Sequence, residues 1–192
     1  MTKIYFLGDV FRQYLDSESL PDQTRAIGEL IVSGNFSRES FDELALSMKL
    51  SGTRILKETL LDLTLVYARK CVEDHELAEA EMADLDTLIS IFRIREGDFY
   101  KLRRDAVQQV IRAQAMWILQ DRYVSEEDEV LQRDLQRLFG LSYDKYVELM
   151  RPLARERIEE LERTKLETQD REQLTLIESC IQNLRGVFLV AR

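Results

Sequence analysis

The chain has 192 residues and a formal net charge of −9, with 45% hydrophobic and 33% charged residues. An acidic chain is repelled by phosphate backbones, so nucleic acid is not an expected partner. Only 7 Gly and 2 Pro interrupt the chain, which excludes an all-β fold and predicts long helices. No window approaches about 18 uninterrupted apolar residues, so a membrane span is excluded, although a place in a peripheral membrane complex stays open. Met1–Leu15 lacks a continuous apolar core and contains Asp9 and Arg12, unlike a secretory signal. Cys71 and Cys180 match no metal-ligand spacing and sit in apolar helical patterns, so they read as buried thiols of a reducing, cytoplasmic compartment.

Lys3–Leu15 places Leu7, Val10, Phe11 and Tyr14 on one face of a first amphipathic helix. Asp16–Leu20 is a polar loop, and Pro21 suits the first turn of a second helix that carries Ala26, Ile27, Leu30 and Ile31 and ends at Gly34-Asn35. Ser37 is an N-cap candidate for a short helix with Phe41, Leu44, Ala45 and Met48, and Ser51 a candidate cap for the next. From Gly52 to Val72 the apolar pattern is unbroken, predicting one helix of roughly twenty residues.

Asp74–Ala78 reads as an acidic loop and Glu79–Phe92 as a shorter helix, with Ile94 a buried plug behind it. Glu96–Leu119 is predicted as one long helix whose stripe includes Phe99, Leu102, Val107, Val110, Ile111, Trp117 and Ile118. Lys101-Leu102-Arg103-Arg104, the densest basic run, reads as its solvated face. Asp121–Ser125 is a second acidic loop, followed by a helix over Glu126–Phe139, Gly140 as a left-handed cap, Leu141 as a second plug and Ser142 as the next N-cap. Tyr143–Met150 begins a helix that Pro152 can kink. The Arg- and Glu-rich Arg151–Arg171 is either an exposed extension or one arm of a hairpin bending at Thr168–Asp170. Leu174, Ile177, Cys180, Ile181, Leu184, Val187 and Phe188 form a final amphipathic helix, whose stripe buries against the core or supports a homo-oligomer.

Shifting the sequence by about 47 residues superimposes two helix–loop–helix stretches: Asp74 falls on Asp121, Glu81 on Asp128, Phe92 on Phe139 and Ile94 on Leu141. A degenerate third copy spans Asn35 to Ser51, with Leu50 at the plug position. The predicted architecture is therefore an all-α bundle of about eight or nine helices built on a pseudo-symmetric tandem repeat. N-terminal helices occupy residues 1–51, the repeat pair 52–150, and a charged extension or hairpin 151–192.

The acidic loops are the constellation with chemical potential. In each an Asp precedes a helix and a second acid follows seven residues on, giving the candidate set Asp74, Glu81, Asp121 and Asp128. If the loops converge, their hard oxygen ligands suit Ca²⁺, Mg²⁺ or Mn²⁺. The competing reading is plain helix capping, because acids at a helix N-terminus are favoured by open backbone N–H groups, and Ser125 with Asp128 has capping-box spacing. His75, the single histidine, adjoins Asp74, so an enzyme using Asp74, His75 and neighbouring acids is a third reading. No Walker loop, His/Cys ligand cluster or paired nucleophile occurs in the chain.

Val72-Glu73-Asp74-His75-Glu76-Leu77 and Leu119-Gln120-Asp121-Arg122-Tyr123-Val124 at the entries, with Phe92-Arg93-Ile94 and Phe139-Gly140-Leu141 at the exits, resemble the TerB-like helical family of tellurite-resistance proteins and some membrane-anchored co-chaperones. The glycine that the family carries after each Asp is replaced here by His75 and Arg122. The resemblance covers about Gly52–Met150. It implies a non-catalytic acidic interaction module with a protein partner, in a stress-response or membrane-associated complex. It also implies Asp74, Glu81, Asp121 and Asp128 as the matching positions of any cation site.

Overall fold

A computed structural model of the chain describes residues 4–17, 19–118 and 126–189, and only the backbone at the helical positions 17, 115–118 and 126–129. The second acidic loop with Asp121, Arg122 and Ser125, and the side chains of Trp117, Ile118 and Asp128, therefore lie outside the described residues. The described residues form ten α-helices and no strand: α1 Leu7–Ser17, α2 Asp22–Val32, α3 Arg38–Ser47, α4 Arg54–Cys71, α5 Glu79–Ile91, α6 Asp98–Leu102, α7 Arg104–Ile118, α8 Glu126–Phe139, α9 Tyr143–Glu167 and α10 Arg171–Leu184. A 3₁₀ turn, Val72–Asp74, follows α4, and a π turn, Arg185–Leu189, follows α10. The fold is all-α, as the glycine and proline counts predict. No helix among the described residues is long and apolar enough to cross a membrane.

The chain divides into two compact units, the first Met1–Val107 with Leu138–Gly140 and the second Gln108–Arg137 with Leu141–Arg192. The division falls within α7. In the first unit α4 is buried nearly all round: Leu56, Leu60, Leu61, Leu63, Leu65, Tyr67, Ala68 and Cys71 are all inside. Only Arg54, Ile55, Asp62 and Arg69 of this helix are exposed; so wide an apolar surface must be covered from several sides, and α1, α2 and α5 pack against it. Its two buried threonines return their hydroxyls to the helix, Thr59 to the Ile55 carbonyl at 3.0 Å and Thr64 to the Leu60 carbonyl at 2.8 Å. Neither is then an unsatisfied polar group in the core.

Side-chain caps set four of the helix starts, at Ser37, Thr53, Ser142 and Asp170. Ser37 and Ser142 cap α3 and α9 as expected, but α4 is capped by Thr53 and not Ser51: the Thr53 hydroxyl accepts the Leu56 N–H at 3.1 Å. The first helix starts at Leu7, because Ile4–Phe6 is used elsewhere, as shown below. The single helix expected over Glu96–Leu119 is interrupted. Arg103 leaves helical geometry (φ −139°, ψ 32°) between α6 and α7, and its guanidinium turns onto Asp62 and Glu58 of α4. Part of the basic run is thus an anchor to the core helix and not solvated surface.

Three helix exits share one local geometry. The N–H of Leu50 donates to the Ala45 carbonyl at 3.1 Å, that of Ile94 to Ile89 at 3.0 Å, and that of Leu141 to Gln136 at 2.8 Å. In each the preceding residue is left-handed: Lys49 at φ 55°, Arg93 at 53° and Gly140 at 56°. This is the Schellman termination, in which glycine is the unstrained choice. Leu141 is buried as expected of a plug, whereas Ile94 is only half-buried.

In the second unit α9 continues through Pro152, and α10 folds back along it after Thr168–Asp170. Of the two readings of the charged segment, the hairpin is the one formed. Leu161 and Ile158 of α9 are buried, as are Cys180, Ile181, Leu184 and Phe188 of the returning arm. Ion pairs Lys165–Glu178 at 2.8 Å and Arg185–Glu162 at 3.1 Å cross between the arms.

The exits make opposite predictions for two substitutions. Lys49→Gly relieves a left-handed backbone at an exposed position and is expected to stabilise the protein by about 0.5–1 kcal/mol. Gly140→Ala adds a Cβ at φ 56°, only 3.2 Å from the Glu96 Cα, and is expected to cost about 1 kcal/mol or more. Urea unfolding of both variants measures the two signs.

Candidate functional site

The first acidic loop is described in full. The chain leaves α4 through the Val72–Asp74 turn, and His75 takes a left-handed backbone at φ 64°. This is the conformation that glycine favours, so the loop reaches that geometry with a histidine in glycine's place. Asp74 is half-buried, and its Oδ1 lies 3.4 Å from the Glu76 N–H. Glu81 is only 1% exposed. Its Oε2 accepts the Ala78 N–H at 3.0 Å and its Oε1 accepts the Tyr5 N–H at 2.8 Å. One oxygen therefore caps α5, and the other holds the N-terminal segment.

A second hold lies one helical turn on. Asp84 Oδ2 accepts the Leu7 N–H at 3.3 Å. Tyr67 Oη, fully buried, is 2.7 Å from the Tyr5 carbonyl and 2.9 Å from Asp84 Oδ2, so one hydroxyl proton serves two acceptors. At the outer edge the Lys70 ammonium sits 5.0 Å over the Tyr5 ring and 2.7 Å from Glu73. Ile4–Leu7 is thus laid across α4 and α5 by bonds from its backbone to Glu81, Asp84 and Tyr67, which is why α1 begins at Leu7 and not at Lys3. Burial, with Asp74 and Asp84 nearby, raises the pKa of Glu81 against the two N–H donors that lower it. Burial beside Glu81 likewise pushes the Cys71 thiol up to about 12, which keeps it protonated and unreactive at neutral pH.

The other half of the predicted set, Asp121 and the Asp128 side chain, lies outside the described residues. Among the described residues no group of three or more His, Cys, Asp or Glu side chains is placed to hold a metal ion.

The first unit also contains a cleft of about 490 Å³, within the size range of ligand pockets. Neither Asp74, His75 nor Glu81 lines it. Phe41 and Ala45 of α3, Leu56 and Leu60 of α4, and Phe92 after α5 form its apolar part. Phe92 is held edge-on by Phe36 at 5.7 Å and tilted on Phe41 at 5.2 Å. The rim carries four cations, Arg54, Lys57, Arg93 and Arg95, against two acids, Asp42 and Asp98.

These charges differ in how firmly they are held. Lys57 is largely covered, lies 2.6 Å from Asp98 and donates to the Arg93 carbonyl at 2.9 Å. Burial opposes ionisation of Asp98, but Lys57, the Arg95 N–H and the Arg95 charge outweigh it and hold the carboxyl below its usual range. Arg54 and Arg93 are 81% and 59% exposed and pair with Glu58 and Asp42. Exposed pairs of this kind are worth about 0–1 kcal/mol, so either guanidinium can exchange partners. The Arg95 guanidinium is exposed and makes no hydrogen bond or ion pair of its own among the described residues. Sequence reasoning missed this cleft, because its lining is drawn from residues 41 to 98. The one local signal was two cations, Arg93 and Arg95, flanking a plug residue.

No family model, curated protein or solved structure matches the chain.

The Glu81 arrangement makes a signed prediction. A folded pKa raised above 4.5 means that the carboxyl's favourable contribution is complete below about pH 4.5 and is lost as pH rises through the folded value. Glu81→Gln removes that titration and sets an amide N–H₂ against a backbone donor, costing about 1–3 kcal/mol. Urea unfolding from pH 4 to pH 7 is expected to show wild type more stable throughout, with its lead over the variant shrinking as pH rises.

Proposed function

We propose that the chain is a non-catalytic interaction module whose working surface is the cleft between α3, the start of α4 and the turn after α5. The observation that carries this reading is the pairing of an aromatic and aliphatic floor with a rim of exchangeable guanidinium groups. Recognition sites combine apolar contact area with a few polar groups that set orientation. The lining contains no histidine or cysteine; its hydroxyls are those of Ser51 and Thr53, and that of Thr53 is already committed to the α4 cap. We read Glu81, Asp84 and Tyr67 as structural: they hold the N-terminal segment over the core. The resemblance of the entry and exit sequences to the TerB-like family supports the same class, with a protein partner in a stress-response or membrane-associated complex.

Site-specific photo-crosslinking tests this. Leu46 and Ile55 adjoin cleft residues in the chain and are 68% and 60% exposed, while Leu166 of the second unit is 88% exposed. A photoreactive residue at Leu46 is expected to give a discrete protein adduct in cells that express the chain naturally, and one at Leu166 is not. Equal labelling at both positions, or none at Leu46, would overturn the reading.

A further inference from the structure

We infer that the cleft takes an acidic, apolar-anchored peptide segment of a partner protein, its carboxylates meeting Arg54, Arg93 and Arg95 and its apolar side chain entering over Phe41 and Phe92. The inference rests on the interaction-module reading and adds the chemistry of the partner.

The sign of the charge comes first. The chain as a whole carries −9, yet the cleft rim has four cations and two acids. Local reversal of sign inside a like-charged molecule selects an occupant of the opposite charge and steers it to one place. The two acids are also engaged: Asp98 with Lys57 at 2.6 Å and Asp42 with Arg93 at 2.7 Å. What meets an incoming group is Arg95, which pairs with no carboxylate among the described residues, and the exposed, exchangeable pairs of Arg54 with Glu58 and Arg93 with Asp42; guanidinium forks have the geometry best suited to carboxylates.

The backbone at Arg93 is the second argument. It holds the left-handed conformation at φ 53°, where the matching exit of α8 has Gly140 at φ 56°. Glycine would occupy this place with less strain, and the exposed Asp42 pair does little to offset the difference. Lys49 holds the same conformation at the α3 exit, so the strain is tolerated at two exits, and at Arg93 it sets a guanidinium on the cleft rim.

Size and surroundings favour a peptide. The cleft offers a floor for one or two apolar side chains, and the exposed Leu46 lies one helical turn beyond Asp42 of its rim. An occupant longer than the cavity can reach it.

The test is selection of random peptides of about twelve residues, displayed on phage, against the full chain. Enriched sequences are then synthesised with a fluorescent label and titrated against wild type and the double variant Arg93→Gly/Arg95→Gln. Thermal unfolding of the variant controls for folding, and relief of strain at position 93 is expected to leave it at least as stable as wild type. The expected outcome is enrichment of Asp or Glu together with Phe, Leu or Trp, with binding weakened about tenfold or more in the double variant and by added salt. Enrichment of neutral or basic peptides that the double variant releases would overturn the acidic partner and leave the module reading in place. Peptides indifferent to the double variant, or no enrichment, would remove both.

Discussion

Helix α4 meets water along only one narrow stripe, formed by Ile55, Asp62 and Arg69. Its buried residues occupy the rest of its circumference, and burial of apolar surface at about 25 cal/mol per Å² makes covering it a strong local demand in the first unit. The helices that meet this demand arrive with different ends. At the C-terminal end of α4, Tyr67 and Cys71 are closed over by Ile4–Leu7 and by Glu81 and Asp84 of α5. At the N-terminal end, α3 and the turn after α5 close over Leu56 and Leu60 incompletely, and the remaining space is the cleft. One buried helix therefore has a sealed polar end and an open, cation-rimmed end.

The two ends use charge in opposite ways. At the sealed end, acids are taken out of water and each carboxylate oxygen engaged there meets a backbone N–H or a hydroxyl, the condition under which a buried polar group is tolerable. The result is order: the N-terminal segment is fixed without a turn of helix. At the open end, charges stay near water in weak, exchangeable pairs. Such pairs add little to stability but keep guanidinium groups positioned and ready to change partners. A chain that is acidic overall thus uses some of its acids as internal fasteners and presents cations where an apolar floor is reachable.

Elements and their ends were largely legible in the sequence. Ser37 and Ser142 as caps, the left-handed Gly140 and the helix over Glu126–Phe139 all follow from local chemistry within a few residues, whereas packing decided between an extension and a hairpin bending at Thr168–Asp170. The errors were equally physical. Ser51 and Thr53 are equivalent as caps by composition, and only the tight Leu50–Thr53 turn, with the Thr53 hydroxyl donating to the Leu50 carbonyl at 2.8 Å, decides between them. Between Asp98 and Leu119 the apolar stripe has no Gly or Pro to warn of the break at Arg103, because that break is made by Arg103 reaching residues 41 and 45 positions back in the chain. Glu81 was legible as an acid in a first helical turn, but its second oxygen is spent on Tyr5, 76 residues away.

The sequence by itself determined the all-α class, the order of helices and the buried thiols, since helical periodicity and the scarcity of Gly and Pro act through neighbours along the chain. Only the tertiary structure decided what the polar residues do. The same carboxylate can cap a helix, latch a distant segment or pair with a cation, depending on which backbone N–H or guanidinium arrives within about 3 Å. The cleft belongs wholly to that second category: Phe41, Leu56 and the pair Phe92 and Arg95 come from three separate stretches, and only the packing around α4 brings them to one place.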